Sequence, residues 1–476
     1  MAHMLDRGSV SRRAVLGGAV ALGALGIGRV SAQAVSASAP ETWRTWLLSS
    51  PDELRPPAPG NPPQSELDEV IALQSQRSVD TGIKISTWGD GPAVLPWTGI
   101  ALDLIQVHRP GPVRAARGLA LLHAALADTV VAVRDAAAAY PRSSPSQADA
   151  QIVPLGSSSD VSASSFPSEH AAVAACAAAV LTYLFPKEPA DHLAALATEA
   201  AESRLWAGAA YRSDIEAGQA IGKGVGTRAV DRGMADGSDQ VWDGSGRPTG
   251  AGVWQPTPPE YVQAPADPMA GTWMPWLLPS GDAYRPAAPP AYGSAAWQAE
   301  LVGVQEAVSR RTSDQETLVK KWAGGAGTVT PAGLWIQIAR DLIVRDGLDT
   351  PLAARVLALT SVAMADGFIC CWDAKYTFWT ARPITADPSL DVLIPTPPFP
   401  SFTSGHATAS TAAATVLGHL FPADEAGLLA NAAEASQTRL WAGIHFPIDC
   451  DVGAVGGGMV GRLAILRAQS DGAEEG

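Results

Sequence analysis

Apolar residues fall along this chain in long Ala- and Leu-rich stretches, separated by short breaks of Gly, Pro and polar residues. Segments 114–139, 168–184, 190–207, 351–377, 408–420 and 424–442 have helix-scale lengths and few β-branched runs, so the pattern predicts helices there. Phe185-Pro186 and Phe421-Pro422 close two of them, because proline cannot continue a helix. Asp191 and Asp424 stand where N-terminal caps of the following helices belong. No stretch beyond the N-terminal leader runs for eighteen residues without a break, so no membrane-spanning helix is expected after it. The predicted class is all-α.

Laid on itself, the chain repeats. Thr42-Trp-Arg-Thr-Trp-Leu-Leu returns as Thr272-Trp-Met-Pro-Trp-Leu-Leu, and Ala101-Leu-Asp-Leu-Ile105 as Ala339-Arg-Asp-Leu-Ile343. Asp128 and Asp135 return as Asp366 and Asp373, Phe166-Pro-Ser-Glu-His170 as Phe402-Thr-Ser-Gly-His406, and Arg204-Leu-Trp-Ala-Gly208 as Arg439-Leu-Trp-Ala-Gly443. Matches in one order at a nearly constant offset mean an internal duplication. The copies are set at 35–230 and 272–476, with a Gly/Pro/Asp-rich linker or surface crossover at 231–271. Two helical bundles about a pseudo-two-fold axis are expected.

Charge narrows the partners. The chain carries −14, and losing a leader with Arg7, Arg12, Arg13 and Arg29 against Asp6 would leave about −17. Such a chain is a poor match for nucleic acid or an anionic membrane. Residues 1–34 read as that leader: Ser11-Arg12-Arg13 precedes a short apolar run and Ala32-Gln33-Ala34 offers a cleavage site, a pattern resembling a twin-arginine export signal. The expected location is periplasmic or extracellular. Cys176, Cys370, Cys371 and Cys450 show no metal-ligand spacing and read as core residues.

Candidate chemistry concentrates near the C-terminus. Lys375, Arg382 and Arg439 are cations, Ser404 is a hydroxyl, His406 and His445 are imidazoles, and Gly405 lets its backbone N–H approach a ligand closely. Paired Arg forks, a Lys point charge and the start of a helix at 404–406 call for a compact tetrahedral oxyanion, phosphate or vanadate. The first copy lacks these groups: Lys375 aligns with Ala137, Gly405 with Glu169 and His445 with Ala210. His170 and Arg204 persist there and read as a packed or hydrogen-bonded pair in a degenerate structural partner.

Lys375-x6-Arg382-Pro383, then Ser404-Gly405-His406, then Arg439-x5-His445-x3-Asp449, resembles the three-part signature of the type 2 phosphatidic acid phosphatase and vanadium haloperoxidase superfamily. Thr403 and Thr438 stand where that family usually has Pro and Ser. The resemblance implies a vanadium-dependent, chloroperoxidase-like haloperoxidase. It would use hydrogen peroxide to oxidise chloride or bromide to hypohalous acid and would halogenate a small organic substrate. His445 would bond vanadium, with Lys375, Arg382, Arg439, Ser404 and the Gly405 N–H on the oxygens. His406 would serve as acid–base group, Lys375 would polarise the oxidant, and Asp449 would orient His445. Trp372 and Phe399 resemble the aromatic positions of the halide pocket. The alternative is an exported acid phosphatase in which His445 attacks phosphorus and His406 protonates the leaving alcohol. Either reading leaves room for a homodimer.

Overall fold

In the computed structural model, residues 39–156 and 164–474 are described, and the leader reading at 1–34 lies outside them. Among the described residues each copy contributes seven helices longer than one turn. The first runs Gln64–Ser75 (α1), Val79–Gly89 (α2), Val94–His108 (α3), Pro112–Ala139 (α4), Glu169–Leu184 (α5), Ala190–Ala207 (α6) and Arg212–Ala235 (α7). The second repeats the series as Ala295–Ser309 (α8), Ser313–Lys321 (α9), Thr330–Asp346 (α10), Thr350–Phe378 (α11), Gly405–Leu420 (α12), Glu425–Trp441 (α13) and Pro447–Gln469 (α14). Apart from an isolated bridge between Val253 and Thr380, regular structure among the described residues is helical, as the sequence pattern predicts.

The centre is α4 packed on α11. By length and composition both could cross a bilayer, contrary to the expectation from unbroken runs, yet 94% of each apolar window is buried inside the chain. A helix that is apolar all round belongs in a core. Asp349 caps α11 by accepting the Leu352 N–H, and Pro351 sits where its missing N–H costs nothing.

Counterpart residues meet across this centre. Trp46 packs edge-on against Trp276 with centroids 6.1 Å apart, and His123 Nδ1 lies 2.7 Å from Ser361, the residue at its own repeat position. Contacts are also exchanged. Arg232 of the first copy stacks on Trp276, and Arg467 of the second stacks on Trp46. Equivalent residues in contact and reciprocal i-to-j contacts are what a two-fold relation produces. Ala37–Gly476 accordingly forms one compact unit rather than two separable bundles.

Some local expectations are corrected, and the reading of the cysteines as core residues is kept. The first copy does not end at 230: α7 continues to Ala235, because Arg232 reaches Trp276 and Gly233 packs on Tyr183. Asp191 lies within the first turn of α6, whose cap is Pro189. Asp424 holds the cap position of α13 but gives both carboxylate oxygens to Arg345 at 2.7 Å. The linker is a crossover bonded to the second copy: Ala381 N–H donates to Gly252 O, Trp254 N–H to Trp379 O, and Ala266 N–H to Pro398 O. All four cysteines are buried free thiols.

Helices α7 and α14 carry glycine every fourth residue. A Cβ on Gly222 would strike the Ala172 carbonyl, and one on Gly457 the Thr408 carbonyl. These glycines let α7 lie directly on α5, and α14 on α12, so the N-terminal ends of α12 and α14 meet at one point.

Candidate active site

Four helix ends converge in the second copy. The C-terminal part of α11 carries Trp372 and Lys375, and the last turn of α13 carries Arg439. The N-termini of α12 and α14 bring Ser404, Gly405, His406 and Asp449. Ser404 caps α12 by accepting the Ala407 N–H at 3.4 Å, and its own N–H donates to Asp449 O at 2.8 Å, which ties the two N-termini together. Arg382 and His445 enter from the loops between.

Lys375, Arg382, Ser404 and Arg439 are completely buried, and His445 and Asp449 nearly so. Lys375 Nζ donates to the carbonyls of Pro400 at 2.7 Å and Ser401 at 2.9 Å. Arg382 Nε donates to Phe399 O and Nη1 to Ile444 O, while its buried Nη2 has no partner. Arg439 is held by Thr438 Oγ1, and its Nη1 lies 3.4 Å from His406 Nε2.

The hydrogen bonds assign the imidazole tautomers. His445 Nδ1 lies 2.9 Å from Asp449 Oδ2, which accepts only, so Nδ1 carries the proton. Nε2 is then a lone pair, facing Arg382 Nη1 at 3.0 Å. Asp449 is fixed by Ser401 Oγ at 2.5 Å and the Phe446 N–H at 3.0 Å. His406 Nε2 sits 2.9 Å from the Trp322 carbonyl, so it is the donor there, and Nδ1 is the basic nitrogen.

Electrostatically the cluster lacks an anion. Burial pushes Lys375 down to about 7 and Arg382 and Arg439 to about 10; neighbouring Arg382 lowers Lys375 further. Burial, then the cations, holds both imidazoles well below their ordinary range, so they are neutral. Burial raises Asp449, with Ser401 and the Phe446 N–H opposing. One carboxylate thus stands against three buried cations. Buried charges are found paired, and an orphaned guanidinium N–H marks where a partner belongs. A multiply charged oxyanion fits that need. Among the described residues no group of three or more His, Cys, Asp or Glu side chains gathers to hold a metal ion.

Trp372 and Phe399 pack with ring centroids 4.9 Å apart, and Lys375 Nζ lies 5.7 Å and 5.0 Å from the two rings. A Cβ at Gly405 would come within 3.1 Å of Phe368 and 3.3 Å of Trp372, so glycine keeps the aromatic wall against the helix start. The crossover holds this wall: Ala266 O accepts from Trp372 Nε1 and Tyr376 OH.

Every residue singled out from the sequence therefore lies in this region. Sequence reasoning missed Ser401 and the carbonyls of Trp322, Pro400 and Ile444. Ser401 was detectable, since its counterpart Ser165 and the pair Asp214/Asp449 are both kept across the repeat. It also undercounted the losses in the first copy: the one-turn helix Pro383–Ala386 has its counterpart in Pro145–Ala148, so Arg382 corresponds to Ser144 and two cations are gone.

A duplicated helical fold with one dense cation cluster at paired helix N-termini defines the class. The PAP2 superfamily model matches residues 119–231 and 355–471, and the chain belongs to that superfamily, carrying its domain twice. No curated relative matches the chain. Its fold is shared with a bacterial vanadium-dependent iodoperoxidase at 24% identity and TM-score 0.64, over 79% of this chain and 96% of that one. It is shared also with the bacterial vanadium-dependent chloroperoxidase at 14% identity and TM-score 0.57: the apo form is matched over 76% of this chain and 96% of its own, the holo form over 78% and 93%.

Proposed function

We propose that the chain is a vanadate-dependent haloperoxidase that uses hydrogen peroxide to oxidise chloride or bromide and halogenates small organic molecules. The observation that carries this is the unpartnered, buried Arg382 Nη2 inside a shell of three cations, with the His445 Nε2 lone pair facing the same guanidinium. His445 would hold the vanadium through Nε2, while Lys375, Arg382, Arg439, Ser404 and the Gly405 N–H hold its oxygens. When bound, vanadate supplies a pentavalent Lewis acid that activates peroxide for two-electron transfer. His406 accepts a proton from the incoming peroxide at Nδ1 and returns it, with Trp322 O keeping Nε2 protonated. Lys375, placed beside Trp372 and Phe399, polarises the oxidant at the point where halide arrives. The rings exclude water, which lowers the cost of stripping a halide. Hydrogen peroxide, halide and one proton leave as hypohalous acid and water.

The second reading is a phosphatase, supported by the superfamily match and by the same lone pair, which could attack phosphorus. Purified protein should be loaded with vanadate and assayed with peroxide and each of chloride, bromide and iodide, beside a phosphate monoester on the vanadate-free protein. Vanadate-dependent halogenation supports the first reading; phosphate release without halogenation replaces it with the second. Export to the periplasm or beyond belongs to the same proposal and rests on the leader's sequence. Loss of secretion in Arg12→Lys/Arg13→Lys is the expected outcome, and unchanged secretion would remove it.

A further inference from the structure

In the first copy, a cavity of about 590 Å³ occupies the place of the cation cluster. Its walls include Ala137, Ser168, Glu169, His170, Arg204 and Ala210, the counterparts of Lys375, Ser404, Gly405, His406, Arg439 and His445. Two of these exchanges, Lys to Ala and His to Ala, remove bulk from the centre of the site. Their loss opens space that the second copy fills with side chains.

The cavity is no longer built for an anion. Glu169 brings a carboxylate to the helix N-terminus and pairs with Arg134 at 2.8 Å. Arg204 is anchored to the Ile85 carbonyl at 2.8 Å and to Ser203 Oγ at 3.0 Å. Its charge therefore serves the protein's own acceptors. Of the packed or hydrogen-bonded His170–Arg204 pair expected from the sequence, no hydrogen bond is found at His170 Nε2, which is buried with no partner, although Arg204 lies near the imidazole. Burial, with Arg204 and Arg134 nearby, holds this imidazole well below its ordinary range, so it is neutral.

The frame around that imidazole is nevertheless kept. Trp88 Nε1 donates to Glu199 as Trp322 Nε1 donates to Glu434, and Trp97 packs on Trp88 as Trp335 packs on Trp322. Across from it, Ile343, Val344 and Leu348 of the second copy supply an apolar wall, with Leu95 and Val133 from the first. The lining thus combines apolar walls and the His170 imidazole with Glu169 and Arg204, which are partnered within the protein, and the carboxylates of Asp90 and Asp349. Apolar walls with a few polar groups are the makeup of a small-molecule site, and the volume lies in the usual range.

We propose that this cavity binds a neutral organic molecule: an apolar ring system bearing a hydroxyl, which a neutral imidazole can both donate to and accept from. An inorganic oxyanion is not its ligand. The site is independent of the reaction assigned to the second copy.

The probe is 2-naphthol, followed by its fluorescence and by equilibrium dialysis on the full chain, with tungstate saturating the cation cluster. One molecule per chain should bind. Ala210→Phe and Ala137→Leu, which fill the cavity from different sides, should each weaken binding at least tenfold, and His170→Phe should weaken it severalfold with an unchanged melting temperature. Lys375→Met should leave it intact. Absence of saturable binding, binding that survives both filling variants, or binding abolished by Lys375→Met would overturn the proposal. None of these readouts involves peroxide, vanadate or phosphate release, so the outcome is separate from that of the proposed function.

Discussion

Lys375→Met probes the uncompensated charge directly. Lys375 is completely buried, and burial brings its ammonium from 10.5 down to about 7. At about 1.4 kcal/mol per pH unit, that drop corresponds to a cost of about 5 kcal/mol for keeping the side chain charged in the anion-free protein. The sign follows from proton counting. Between pH 7 and 10.5 the unfolded chain holds the Lys375 proton and the folded chain does not, so stability rises with pH across that window. Below 7 both states are protonated and the dependence ends. From pH 7 to 9 the wild type should therefore gain about 2 kcal/mol relative to Lys375→Met. Two carbonyls lose their donor in the variant, which shifts the difference by a constant but not its slope. Urea unfolding of both proteins at pH 7, 8 and 9, in buffers without oxyanions, measures it. With saturating tungstate the wild type should be strongly stabilised, and the pH dependence of the difference should flatten. A wild-type-minus-variant difference that does not change between pH 7 and 9 would refute the reasoning, because Lys375 would then not be held as an unpaired buried cation.

Three further outcomes follow from the same geometry. Binding of tungstate, fully ionised across this range, should weaken up to ~tenfold per pH unit above 7, since Lys375 must regain its proton, and Lys375→Met should abolish that slope by calorimetry. His406→Ala should retain oxyanion affinity while turnover falls roughly 10²–10⁴-fold, the usual contribution of a placed acid–base group; equal loss of both would contradict a purely proton-transferring role. Gly457→Ala should destabilise the chain by at least about 2 kcal/mol, because its Cβ meets the Thr408 carbonyl, whereas Gly456→Ala, with open space around it, should be near neutral in thermal unfolding.

The site was legible because its chemistry needs particular side chains at fixed spacings. Ser404-Gly405-His406 and His445-x3-Asp449 lie on single helix starts, so sequence distance stands in for spatial distance. The groups that tune those side chains were not legible, since Trp322, Pro400 and Ile444 act through carbonyls that any residue supplies. Glycine misled in one place. In α7 and α14 it marks close helix contact rather than a break, and this hid two long helices from a composition-based reading. The repeat and a pseudo-two-fold packing of its copies were plain in the primary structure, but how the copies interlock was not. That depends on reciprocal contacts such as Arg232 on Trp276 and Arg467 on Trp46, which join residues about 40 or more than 400 positions apart.

A vanadate-soaked crystal with an anomalous map tests the central claim most directly. One peak, within bonding distance of His445 Nε2 and in contact with Lys375, Arg382 and Arg439, is the predicted result. A peak elsewhere, or none at saturating vanadate, would contradict it.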